Sequence, residues 1–285
     1  MEPVMAQAVE MSEADHADLE RAVELLEHPS FIGRITNLIG KPIEQVIDVL
    51  PSGASEQVQG TVRSVLEKLL TISLRTLNPS RRGPASDLEH TIGTGISGAV
   101  GGFFGAPALA VELPISTSIM LRSIADVARS EGENPRSPET RLACLEVFAL
   151  GGAARGDNAS DTGYFAVRAA LAKAMSDAAR HLAERGLTRE GAPVLARLIA
   201  AIASRFSAVV SEKVAVQSVP ILGAIGGASI NVLFARHFQN MARGHFTVRR
   251  LERRHGSEPV RREYRRIAER QSPPKVAGRL QSPSG

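Results

Sequence analysis

An all-α fold is what this sequence predicts, and three observations carry that expectation. Apolar residues recur at helical spacing through several long stretches, and strand-like alternation forms no convincing series. Two long uncharged runs, both rich in glycine, interrupt an otherwise amphipathic chain. The chain has 285 residues, 43% of them hydrophobic and 22% charged, so it can bury a core and is too apolar for general disorder. Its single cysteine excludes an internal disulfide framework and any zinc site built from two or more cysteines.

The elements follow in order. The first twenty residues are acidic and lack an apolar signal core, so no secretory signal is expected, and residues 1–17 read as a flexible N-terminus. Asp18 to Leu26 predicts a short helix stopped by His28-Pro29-Ser30. Lys41-Pro42 opens another, with Val46, Ile47 and Leu50 at helical spacing before Pro51-Ser52-Gly53. Glu56 to Leu77 predicts a long helix with Val58, Val62, Val65, Leu66, Leu69 and Leu70 apolar, and Asn78 to Pro84 is a loop. One helical domain is expected over 18–258, followed by a basic, largely disordered tail over 259–285.

Residues 91–111 and 214–235 are the uncharged runs, 21 and 22 residues long. Each is long enough to cross a hydrocarbon core of about 30 Å as a helix. Six glycines and a proline in the first, and Gln217, Pro220 and Asn231 in the second, moderate that character, so buried core hairpins and membrane insertion both fit. Gly98 and Gly102, Gly101 and Gly105, and Gly223 and Gly227 are each four apart, which puts two positions without side chains on one helix face. The expectation is a pair of adjacent glycine-rich apolar helical hairpins.

Charge is distributed unevenly. From Arg236 onward 13 basic residues stand against 4 acidic ones. A basic end of this kind serves anionic lipid, nucleic acid or solubility. Nucleic acid is not expected, because Tyr264 is the aromatic near the basic run and stacking platforms need several. An anionic membrane surface or a membrane protein is the expected partner, with Arg249, Arg250, Arg253 and Arg254 as the surface-binding residues.

Catalytic motifs do not emerge. Gly93 to Gly98 matches the glycine spacing of a dinucleotide loop, but no buried strand precedes it. His237, His245 and His255 are too far apart for a metal pair on one helix face, and neither a metal nor a cofactor is expected. Cys144 lies in an apolar stretch and reads as a small buried hydrophobe. Glu112 is the acid that stands out. It is flanked by apolar residues, and Pro114 suits a first helical turn, which would set Glu112 near a positive helix end. If the face it shares with Ser116 is buried, then Ser116, Thr117 and Asn231 are its candidate hydrogen-bond donors and the makings of a polar pocket. Lys213, Gln217 and Asn231 flank or interrupt the second apolar run, where they cap broken turns or line a pocket. Arg122 and Asp126, four apart, are expected to pair.

Several segments taken together resemble a known family. They are GKPIE at 40–44, GAPALAVELPISTSIMLRSIADVARSEGE at 105–133, CLEVFALGG at 144–152, GYFAVRAALA at 163–172, VPILGAIGGASINVLFARHFQNMARGHFTVRRLERRHG at 219–256, and the following Tyr264. In this order they are similar to the bacterial EcsC protein family, in its branch with an E-L-P element. The resemblance spans about Leu19 to Gly256. Its signature positions here are Glu112, Pro114, Arg122, Gly223, Asn231 and Arg249. It implies a helical, membrane-associated bacterial protein whose family is named for a protein encoded beside an ABC transporter, and it brings no catalytic residues. The functional expectation is a non-enzymatic accessory protein on the cytoplasmic membrane face, linked to ABC transport or protein secretion. The alternative is a soluble hydrolase-like enzyme with a pocket between the glycine-rich helices.

Overall fold

The computed structural model describes residues 11–27, 54–75, 106–152, 163–186, 188, 192–217 and 227–271. Among these residues there are eight helices and no strand, so the fold is all-α. They are α1 (Glu13–Glu27), α2 (Ala54–Arg75), α3 (Ala106–Ser130), α4 (Pro138–Leu150), α5 (Gly163–Arg185), α6 (Ala192–Gln217), α7 (Gly227–His255) and α8 (Ser257–Gln271).

Two long helices organise the rest. Helix α6 packs against α2, α4 and α5, while α7 packs against α1, α3 and α8, and α4 touches both groups. Residues Leu142 through Leu150 of α4 are all buried, Glu146 among them, as expected of a helix enclosed by others. Ser137 starts it by accepting from the Thr140 amide at 3.1 Å, with Pro138 in the first turn. Gly151 follows its last residue, at a point where α7 lies too close for a side chain. A Cβ on Gly151 would stand 2.5 Å from the Phe238 ring and 2.9 Å from His237 Nε2. Around this crossing Phe148, Phe206, Phe234 and Phe238 form one aromatic cluster with centroid separations of 4.9–6.2 Å.

The N-terminus of α5 is capped from another helix. Glu27, the last residue of α1, accepts from the amides of Gly163 at 3.0 Å and Tyr164 at 3.2 Å, and from the Tyr264 hydroxyl at 2.8 Å. One carboxylate thus ties α1, α5 and α8 together.

Helices α3 and α7 lie side by side and run in the same direction. Gln239 donates to Ser123 at 3.0 Å, and further along, where α3 has just ended, Arg250 of α7 donates to Glu131 at 2.7 Å. The chain therefore enters both helices at one end of the bundle. Residues 98, 102, 105 and 223, the glycines expected to pack the hairpins, lie outside the described residues, and Gly227 is the first residue of α7.

The expected tail needs correction. Gly256, at φ 86°, takes the left-handed conformation that turns the chain, and α8 then occupies Ser257–Gln271. Val260, Tyr264, Ile267 and Ala268 are buried on its inner face, so residues 259–271 belong to the fold and not to a disordered tail. At the other end α1 starts at Glu13, within the stretch read as flexible, and Ser12 caps it. The long helix read over Glu56–Leu77 corresponds to α2. The helix expected after Lys41-Pro42 lies outside the described residues.

Candidate functional site

Glu112 is drawn into an ion pair that none of its expected partners makes. Its Oε1 accepts from Lys213 Nζ at 2.6 Å, and the Lys213 ammonium, fully buried, stands 4.7 Å from the centroid of the Phe234 ring. The pair joins α3, α6 and α7 at the end where α3 and α7 begin. Burial pulls the Lys213 ammonium below the usual lysine range, and the Glu112 charge and hydrogen bond oppose that fall.

The expected donors are otherwise engaged. Ser116 and Thr117 donate to the Leu113 carbonyl at 3.3 and 2.5 Å, since a hydroxyl three or four residues along a helix finds its own backbone first. Asn231 Oδ1 is buried with no hydrogen-bond partner. None of Ser116, Thr117 and Asn231 bonds to Glu112, which pairs with Lys213 instead. Pro114 lies inside α3, eight residues past its start at Ala106, so Glu112 is not held at a helix N-terminus. Asp126 pairs with Arg129 at 3.0 Å rather than with Arg122.

The four C-terminal arginines are also committed within the chain. Arg249 makes a two-pronged contact with Glu133, at 2.8 and 3.3 Å, and Arg253 joins the same carboxylate. Arg250 bridges Glu131 at 2.7 Å and Asp18 at 2.6 Å, and Arg254 reaches Asp15 at 2.6 Å. Four guanidinium groups therefore meet four carboxylates. Burial works against the Glu133 charge, yet Arg249, Arg253 and Thr140 together hold its carboxyl below the usual range. Burial likewise opposes the Asp15 charge, and His255, Ser12 and Arg254 prevail over it. Assigning these arginines to an anionic surface missed their partners, because the acids lie more than 100 residues away in sequence.

A buried polar chain went unrecognised in the sequence. Arg168 binds Glu252 through both nitrogens at 2.8 and 3.0 Å and donates to the Tyr164 oxygen at 3.3 Å. That leaves the phenolic hydrogen for His245 Nδ1, 3.0 Å away, and assigns the ring proton to Nε2. His245 Nε2 faces Glu146 at 3.7 Å. Burial, with Arg168 and Arg249 nearby, drives His245 well below the usual histidine range. Burial drives Glu146 upward, against the opposing Arg168 and Arg249 charges. The one available sequence signal was weak: Glu146 stands alone in the apolar run 142–150. Cys144, in the same run, is buried as expected, and burial pushes its thiol up to about 12.

Chemically, this arrangement pairs and buries charge. Glu112 accepts from an ammonium, the hydroxyls beside it bond to their own helix, and the Cys144 thiol stays protonated at neutral pH. Among the described residues no group of three or more His, Cys, Asp and Glu side chains is placed to hold a metal ion.

These features define a helical bundle locked by internal ion pairs, with two parallel helices entered from uncharged segments. The chain belongs to the EcsC protein family, whose model matches residues 17–251. No curated protein and no solved structure matches it.

Proposed function

We propose that this chain is a non-enzymatic, membrane-associated accessory protein of the bacterial cell envelope, acting beside an ABC transporter or export machinery. The observation that carries the reading is the parallel pairing of α3 and α7. It brings the ends of both uncharged runs, 91–111 and 214–235, to one side of the bundle. Val232, six positions into α7, is half exposed there despite its apolar side chain. Membership in the family supports the envelope setting.

Apolar contact is the attachment this reading requires. Because Arg249, Arg250, Arg253 and Arg254 are neutralised within the fold, anionic lipid adds little through them. Helix α6 holds the one stretch among the described residues long and apolar enough to cross a membrane, Pro193–Ala215, with mean hydropathy 1.6. It packs against α2, α4 and α5 and half of that stretch is buried, so it is read as a helix of the bundle.

Vesicle flotation and cell fractionation test the proposal. The protein is expected to float with lipid vesicles, to stay bound in high salt, and to leave the membrane fraction with detergent. A protein that never floats, or that salt strips completely, overturns it. Complementation by Glu112→Gln tests the non-enzymatic part, since loss of function in a folded variant would give the carboxylate a chemical role.

A further inference from the structure

Two large apolar side chains that the fold leaves exposed stand near each other where α3 and α7 begin. Ile119 is 46% exposed and Val232 50%. The Gln239–Ser123 hydrogen bond, at 3.0 Å, fixes how the two parallel helices align. Counted back from that bond, Ile119 lies four residues away on α3 and Val232 seven residues away on α7. At about 100° per residue, those steps leave each within about 40° of the helix face that makes the bond. They also leave the two only about 5 Å apart along the helix axes, so both belong to one edge of the bundle.

The order of side chains along this edge matches the layers of a membrane surface. Leu113–Leu121 on α3 and Gly227–Ala235 on α7 hold no charged residue, and Arg122 and Arg236 are the first that follow. Both arginines are exposed, and Arg236 makes no hydrogen bond or ion pair with a described residue. By the same alignment the two stand within about 3 Å of one level. Apolar side chains are thus backed by guanidinium groups, the order in which a bilayer presents acyl chains and then phosphates. Lys213 already pairs with Glu112 beside this edge, so that carboxylate does not oppose an anionic surface. Arg249, held by Glu133, lies about 25 Å farther along α7 than Val232. We propose that the protein stands on a lipid bilayer by this edge, with Ile119 and Val232 among the acyl chains, Arg236 at the phosphates and the Arg249–Glu133 cluster in water. The proposal rests on the membrane reading above and adds to it the residues that enter the bilayer and the orientation they impose.

Depth measurement on the full chain tests it, with vesicles of phosphatidylcholine and phosphatidylglycerol. The native Cys144 thiol is buried, so an environment-sensitive fluorophore can be attached at Ile119→Cys, Val232→Cys, Arg236→Cys or Arg243→Cys. At the first two positions it is expected to be quenched by nitroxides on the acyl chain, and at the third by nitroxides on the headgroup. Arg243→Cys, about 16 Å beyond Val232 along α7, is expected to stay open to aqueous iodide. Ile119→Ser combined with Val232→Ser should keep the parent melting temperature, because both positions are exposed, and should partition at least about tenfold more weakly. Arg236→Gln should bind about fivefold more weakly. If the parent floats with vesicles while labels at 119 and 232 stay open to iodide, this edge is not the contact and the membrane reading stands without it. Binding as tight as the parent's by the folded serine variant or by Arg236→Gln has the same meaning. A parent that never floats overturns both.

Discussion

Two buried titratable pairs concentrate the electrostatic tension of the molecule at single residues. At the Glu146–His245 contact the linkage signs are opposite. His245 has a folded pKa below its unfolded value of about 6.5, so its contribution is present above that pH and is lost as pH falls. Glu146 has a folded pKa above its unfolded value of about 4.5, so its contribution is present below that pH and is lost as pH rises. Between about pH 4.5 and 6.5 the two partly cancel. Glu146→Gln removes one side of that balance. The variant is expected to be at least as stable as the parent near pH 7, and to lose up to about 1.4 kcal/mol more per pH unit on acidification through this window. Denaturant midpoints measured across pH 4.5–7 check this, and an unchanged slope would refute it. At Glu112–Lys213 the partners are unequal, because the lysine is fully buried and the glutamate is partly exposed. Glu112→Gln strands the ammonium and should cost about 3 kcal/mol, whereas Lys213→Met, which removes the charge, should be near neutral. Thermal unfolding of the two variants side by side reads the asymmetry.

At the scale of elements, glycines at two positions show how packing overrides helix propensity. Gly244 lies where α7 crosses α1, and a Cβ there would stand 2.6 Å from Leu26 Cγ, the branch point of that side chain. Gly60, on the exposed face of α2, has nothing within 4 Å of the same position. Alanine gains about 0.5–1 kcal/mol over glycine in an open helix. Gly60→Ala should therefore stabilise by that amount, while Gly244→Ala should destabilise by about 1–3 kcal/mol as Leu26 is forced aside. A smaller penalty for Leu26→Ala in the Gly244→Ala background would confirm the contact. The glycines singled out in the sequence, Gly98, Gly102, Gly105 and Gly223, announced themselves by four-residue spacing. Gly151 and Gly244 each admit a crossing helix singly, so no spacing marks them.

For the whole molecule, the decisive contacts join the two ends of the chain. Arg254 reaches Asp15 across 239 positions, Arg270 reaches Glu20 across 250, and Tyr264 reaches Glu27 across 237. Closing loops of this length costs entropy that only cooperative packing recovers. Helices α1, α7 and α8 should therefore form and melt as one unit. A chain ending at Glu258, the boundary that composition suggests, would lose Val260, Tyr264, Ile267 and Ala268 and uncover the Tyr164 ring stacked on Tyr264 at 5.5 Å. Removing a buried tyrosine and isoleucine alone should cost about 3–6 kcal/mol. Circular dichroism and hydrogen exchange are expected to show early loss of α1 in that truncation. Retention of the parent midpoint would mean that α8 is dispensable.

The sequence by itself determined the helical class, the family, the burial of Cys144, and the apolar face of α2, because each is written in local spacing or in ordered short motifs. It did not reveal α8 as a folded helix. The charge of that segment masked a sound pattern at Val260, Tyr264, Ile267 and Ala268, which spacing alone would have shown. Only the tertiary structure decided where the charges go. Glu112 could be seen to need a partner, but Ser116 and Asn231 lay close in sequence or pattern, while Lys213 comes from α6 through the packing of three helices. The C-terminal arginines look like a free cationic surface until α1 and the end of α3 bring Asp15, Asp18, Glu131 and Glu133 to them. Helix periodicity is a property of neighbours along the chain, whereas the pairing of a buried charge depends on which distant helices share a face.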